Sequence, residues 1–189
     1  MEIAGLSFPR IRGMFRGLRS SAALLACALT LAGAQGISPV DEYVLKAQAL
    51  VELTPFFRWP DPRDAGRPFT ILVVGRSMFE SKLDTYARTR TVQGRRIEVR
   101  YVSRRSDLFP CDLLFICRSE RRSAGEILEW ARGKGVLTVA DDEDLLKRGV
   151  MVDLLTESGL LRLYLNARVA TAEHFVVGSQ LLRLARPVD

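Results

Sequence analysis

The chain has 189 residues, 48% of them hydrophobic and 26% charged, which excludes a disordered chain and is enough for one sizeable core. Its formal charge is +6, but residues 1–34 hold Arg10, Arg12, Arg16 and Arg19 against Glu2, a net +3, so the remainder carries only +3. That balance gives no case for nucleic acid as a partner.

The amino terminus has the three parts of a secretory signal. Four arginines precede an apolar run from Ala22 to Ala34, broken only by Cys27, Thr30 and Gly33, and Ala32-Gly33-Ala34 offers small residues for cleavage before Gln35. The run is short for a membrane span, so residues 1–34 are expected to be removed and the mature chain to reside in the periplasm. Leu24-Leu25-Ala26-Cys27 has a faint likeness to a lipoprotein box, but the apolar run continues past the cysteine.

From Asp41 to about Phe57 the spacing of Tyr43, Ala47, Leu50 and Thr54 predicts a helix, which Pro55 should end or kink. Phe56 and Trp59, close to that end, are expected to seal the helix onto a sheet. The proline-rich segment from Trp59 to Pro68 is a loop. Phe69 to Gly75 is continuously apolar and reads as a strand buried on both faces, followed by a helix over 77–88 with Ser77 as its cap. Ile97 to Val102 alternates instead, which places it outside the central strands.

Cys111 to Cys117 is apolar apart from Asp112 and reads as the central strand, adjacent to the Phe69 strand. It feeds a helix over 119–132 with Ala124, Ile127, Leu128 and Ala131 on one face, the strand-to-helix half of a βαβ unit. Cys111 and Cys117 lie roughly 20 Å apart along one strand at about 3.3 Å per residue. A disulfide needs Cα atoms within about 7 Å, so the two cannot pair with each other; they are buried thiols or bond to another chain. Val136 to Ala140 is a fourth strand, and Asp141-Asp142-Glu143-Asp144 opens a short helix that ends in Lys147 and Arg148, an order that suits the helix dipole and reads as capping.

Two further strands, Val150 to Leu155 and Leu160 to Leu165, are separated by four residues, too few for a parallel crossover, so they form an antiparallel hairpin extending the sheet on the side away from Ile97. Asn166 to Phe175 holds a helical turn or two, and Ser179 to Ala185 a last short helix. The expected fold is a single α/β domain over 41–186, a mixed, mostly parallel sheet flanked by helices with a C-terminal antiparallel hairpin.

His174 is the single histidine and has no serine or cysteine motif beside it. There is no Gly-x-Ser-x-Gly elbow, no phosphate-cradling glycine loop and no clustered metal ligands, which argues against an enzyme and for no catalytic residues, cofactor or metal. A phosphoacceptor domain would place an aspartate where Cys117-Arg118 stands. The carboxyl ends of the two central strands do carry Arg76, Ser77, Arg118 and Ser119, the sheet edge where ligands bind and where arginines beside helix starts favour anions. Leu181, Leu182 and Leu184 crowd a helix of barely two turns, which must pack on its own sheet, on a partner or on a second copy of the chain.

The ordered series Phe56-Phe57-Arg58-Trp59-Pro60, Ile71 to Gly75, Val92 to Val99, Cys111 to Glu120, Val136 to Val139, Gly149, Met151, Asn166 and Ser179 with Leu181-Leu182 resembles the YfiR family of bacterial periplasmic regulators. The chain departs from that pattern at Pro55, at Asp153 where an asparagine is common, and at Ala140 and Gln180. The resemblance implies a non-enzymatic repressor that binds the periplasmic sensor region of an inner-membrane diguanylate cyclase and thereby controls cyclic di-GMP and biofilm formation. It also implies an outer-membrane protein that sequesters the repressor, and among relatives other membrane sensors such as histidine kinases. A homodimer, and a small-ligand or anion-sensing module, are the further expectations. The paired intramolecular disulfides of some members have no counterpart in the two mature cysteines.

Overall fold

The structure is a computed structural model and describes residues 39–60 and 66–188. The signal expected over residues 1–34, the cleavage expected near Ala34 and the lipoprotein-like Cys27 lie outside the described residues.

Helix α1, Pro39–Glu52, stops three residues before Pro55, and the chain tightens into a turn at Thr54–Phe56 whose Thr54 hydroxyl donates to the Val51 carbonyl at 2.7 Å. A two-residue strand β1, Phe57–Arg58, follows. Strand β2, Phe69–Val74, ends at Gly75 with φ 98°.

Helix α2 is Lys82–Ala87, so the helix expected from Ser77 starts five residues late. The cause is Phe79, fully buried and edge-on to Tyr43 at 5.3 Å and Phe115 at 4.8 Å; the chain turns to drive this ring inward before it can coil. Ser77 therefore caps a turn, accepting from the Phe79 N–H at 3.1 Å, and not a helix.

Strands β3, Thr91–Val92, and β4, Arg95–Val102, form a hairpin about Gln93 (φ 52°) and Gly94 (φ 77°), the two left-handed positions a tight hairpin turn requires. Central strand β5, Leu113–Ile116, leads through a turn at Arg118–Glu120 to α3, Ala124–Ala131, a later start than the 119 expected from periodicity. Then come β6, Leu137–Ala140, and α4, Glu143–Lys147, with Asp142 capping it through the Asp144 N–H. The hairpin is β7, Val152–Glu157, and β8, Leu160–Leu165. Helix α5, Ala167–Ala172, is capped by Asn166; β9, Val176–Val177, α6, Ser179–Leu184, and β10, Arg186–Pro187, complete the described chain.

The main sheet has the order β10-β8-β7-β6-β5-β2-β4-β3, parallel throughout except at β7–β8 and β3–β4. The adjacent β2 and β5, the outer position of β4 and the hairpin on the far side follow from continuous against alternating apolar patterning. A second, two-stranded sheet pairs β1 with β9.

Period-two side chains of the central strands feed two cores. Ile71, Val73, Leu113 and Phe115 pack with α1, α2, α5 and α6; Leu72, Val74, Leu114 and Ile116 pack with α3 and α4. Trp59 lies edge-on to Phe69 at 5.3 Å and to Phe175 at 5.7 Å, and its indole N–H donates to the Asp112 carbonyl at 3.0 Å, which locks the end of the first helical segment onto the sheet. Phe56 is half-buried beside it. Cys111 and Cys117 are both buried, so a bond to another chain would require the core to open.

Candidate functional site

Adjacent parallel strands deliver their carboxyl ends to the same edge, so the loops after β2 and β5 meet. The Arg76 N–H donates to the Ser119 hydroxyl at 2.9 Å, and that hydroxyl donates to the Glu120 carboxylate at 3.1 Å. Gly75 makes the approach possible: a Cβ there would lie 2.5 Å from the Ser119 oxygen and 2.7 Å from Glu120 Cγ, in a backbone conformation that already disfavours side chains.

Helix α1 crosses this edge and closes a cleft of about 540 Å³ lined by Glu42, Tyr43, Arg76, Met78, Phe115, Cys117, Arg118, Ser119 and Asp141. Three of the four residues expected at the carboxyl edge thus share one cleft. Ser77 is not part of its lining, because its hydroxyl is spent on the turn that buries Phe79.

The cleft rests on a buried ion-pair system that periodicity alone did not single out. Lys46, fully buried, donates to Asp141 at 2.9 Å and pairs with Glu42 at 2.5 Å, while the Tyr43 hydroxyl donates to Asp141 at 2.5 Å. The signal was present: Lys46 falls in phase with Tyr43, Leu50 and Leu53, on the face of α1 that must be buried.

The acidic run after β6 does more than cap. Asp142 caps α4 and also takes the Arg121 guanidinium at 2.5 and 2.9 Å and Arg118 at 3.4 Å, whereas Asp141 turns inward to Lys46. The Arg118 guanidinium additionally donates to the Asp141 carbonyl at 2.9 Å. Burial works against the ionised Asp142 carboxylate, but Arg121, the Asp144 N–H and Arg118 outweigh it and hold it below its ordinary range. Glu42 follows the same pattern, with burial opposed and overcome by Lys46.

Asp153 goes the other way: burial first, then the neighbouring Asp141 charge, push it up to about 7. Its Oδ1 accepts the Asp142 N–H at 3.0 Å and its Oδ2 has no donor among the described residues. Between pH 4 and 7 the folded chain therefore keeps a proton that the unfolded chain has released, so this group favours folding at low pH and ceases to do so as pH rises through about 7. Asp153→Asn keeps the Oδ1 acceptor and removes the titration. The variant should gain about 2–3 kcal/mol more over the natural chain at pH 8 than near pH 5, because the two pH units between 5 and the folded-state value of about 7 are each worth about 1.4 kcal/mol. Urea unfolding at the two pH values measures this, and an equal gain at both would refute the assignment.

Cys117 has its thiol pushed up to about 12 by burial and by the Asp141 and Glu120 charges, so at neutral pH it is an inert thiol. His174 is exposed, with φ 62°, apart from the cleft. The arrangement suits recognition of charged groups.

At the opposite end of the chain, Leu181 is fully buried, so it belongs to the core and cannot be part of an open surface. Leu182 and Leu184 remain 50% and 41% exposed on the other face of α6, close in sequence to Val176, which is 60% exposed.

The fold recurs in solved structures. The ABC domain in complex with L-Trp from Streptococcus pneumonia aligns with a TM-score of 0.54 at 9% identity, over 78% of this chain and 60% of that one. A conserved domain protein from Vibrio cholerae O1 biovar El Tor str. N16961 aligns with a TM-score of 0.56 at 10% identity, over 82% of this chain and 62% of that one. The chain thus spans about three fifths of these structures, and likeness at such identity shows the fold alone. No curated protein sequence matches it. Residues 43–186 match the family described as YfiR/HmsC-like (DUF4154), a family of periplasmic, regulatory and non-catalytic proteins of cyclic di-GMP signalling. With the match running from the first turns of α1 to β10, the chain belongs to the YfiR/HmsC-like family.

Proposed function

We infer that this chain, exported and freed of residues 1–34, binds the periplasmic sensor region of an inner-membrane diguanylate cyclase and holds the enzyme inactive. The observation that carries this is the family match over residues 43–186. An outer-membrane protein that sequesters the chain would relieve the repression.

The contact surface is assigned to Leu182 and Leu184 together with Val176, apolar side chains left open where α6 and β9 adjoin. Arg183, between the two leucines and also exposed, supplies charge at the rim of the patch.

Deleting the gene should raise cellular cyclic di-GMP. The double variant Leu182→Glu, Leu184→Glu should behave as the deletion and fail to retain the cyclase in a pull-down from membranes. Its melting temperature should stay within a few degrees of the natural chain, since both side chains already meet solvent. Unchanged cyclic di-GMP with capture of a membrane histidine kinase would redirect the reading to that partner. Unchanged cyclic di-GMP with no membrane protein captured would end it.

A further inference from the structure

We propose that the cleft at the carboxyl edge of the sheet is a binding site for a small zwitterion, an α-amino acid whose carboxylate meets Arg76 and whose ammonium meets Asp141 and Glu42. The proposal concerns the isolated chain and does not depend on the identity of its membrane partner.

The first support is the distribution of charge. On one wall, Glu42 and Asp141 share the single cation Lys46, which leaves one negative charge in excess. On the other, Arg118 is engaged by the Asp141 carbonyl and the Asp142 carboxylate, whereas the Arg76 guanidinium makes no ion pair among the described residues. A ligand carrying one charge of each sign neutralises both walls at once; an anion or a cation alone neutralises one and leaves the other.

The second support is independent of the charge count. Asp141 is 1% exposed and lines the cleft, yet its Oδ1 has no hydrogen-bond donor among the described residues. Leaving a buried carboxylate oxygen unmatched is costly, and a ligand ammonium brings three donors. Arg76 and the 58% exposed Met78 stand at the open side, and Phe115 lies deeper, so an apolar side chain has a surface to rest on. The volume, about 540 Å³, falls within the ordinary range for small-molecule sites.

Calorimetric titration of the purified protein tests this with four probes. L-leucine should bind saturably at one site per chain. 4-Methylpentanoate, which lacks the ammonium, and isoamylamine, which lacks the carboxylate, should each bind on the order of tenfold more weakly or not at all. Arg76→Ala should weaken L-leucine by a similar factor while leaving the thermal midpoint unchanged, because the side chain is exposed and unpaired; Arg88→Ala, an exposed arginine outside the cleft lining, should have no effect. L-phenylalanine extends the series to a larger side chain. The proposal is overturned if neither amino acid saturates the protein by about 10 mM, if 4-methylpentanoate binds as well as L-leucine, or if Arg76→Ala binds L-leucine normally.

Discussion

Asp112→Ala is expected to lower stability by about 3–5 kcal/mol, the range for stripping one partner from a buried ion pair. Asp112 is 1% exposed at the entry to β5 and holds three groups at once: the Thr70 N–H at 2.8 Å, the nearly buried Arg95 at 2.9 Å and the more open Arg67 at 3.4 Å. Truncation would leave the Arg95 guanidinium inside the protein without its carboxylate partner, beside the Phe69 ring it already overlies at 5.1 Å. The backbone at the same residue accepts from Trp59 and donates to the Thr70 carbonyl, so any local shift loosens the aromatic cluster and the β2–β5 pairing together. Chemical denaturation measures the effect. A loss under about 1 kcal/mol would mean that Arg95 swings out to solvent without penalty.

Lys46→Met should cost about 3–4 kcal/mol, and here the charge left behind is negative. The methylene stem is replaced by a chain of similar volume, so packing changes little and the loss isolates the ammonium. Among the described residues Asp141 would then be buried with only the Tyr43 hydroxyl to hold its carboxylate, and Glu42 would lose its nearest cation. Adding Asp141→Asn to Lys46→Met should recover about half of the loss, because it removes the stranded charge. Urea unfolding of the two single variants and the double variant gives the coupling; simple additivity of the two losses would show that the pair is not an energetic unit.

The strand order was legible because burial on two faces and burial on one leave different patterns in sequence: Ile71 to Val74 and Leu113 to Ile116 are apolar at every position, whereas β4 alternates. The meeting of Arg76 with Arg118 and Ser119 followed from the same logic, since neighbouring parallel strands share an edge. What stayed hidden were features fixed by partners far along the chain. Lys46 gains its meaning from Asp141, 95 residues away. Strand β1 exists because Phe57 and Arg58 meet Val177 and Val176, and two residues carry no period to read. The late start of α2 depends on Phe79 finding a slot between Tyr43 and Phe115, which local propensity does not encode. The burial of Leu181 beside the exposed Leu182 and Leu184 is a matter of helix phase, and a helix of six residues is too short to fix that phase from composition.

The outermost strands of the main sheet bear on how the protein survives crowding. At one side the sheet ends in β10, a two-residue strand whose Pro187 has no N–H to offer a newcomer. At the other, β3 covers only the first residues of β4, and the stretch beyond presents the ion-paired Glu98 and Arg100. Neither margin is a template for adding a foreign strand, since one lacks the donor and the other imposes desolvation of charge. Copies that collide through these margins should part again instead of seeding fibrils.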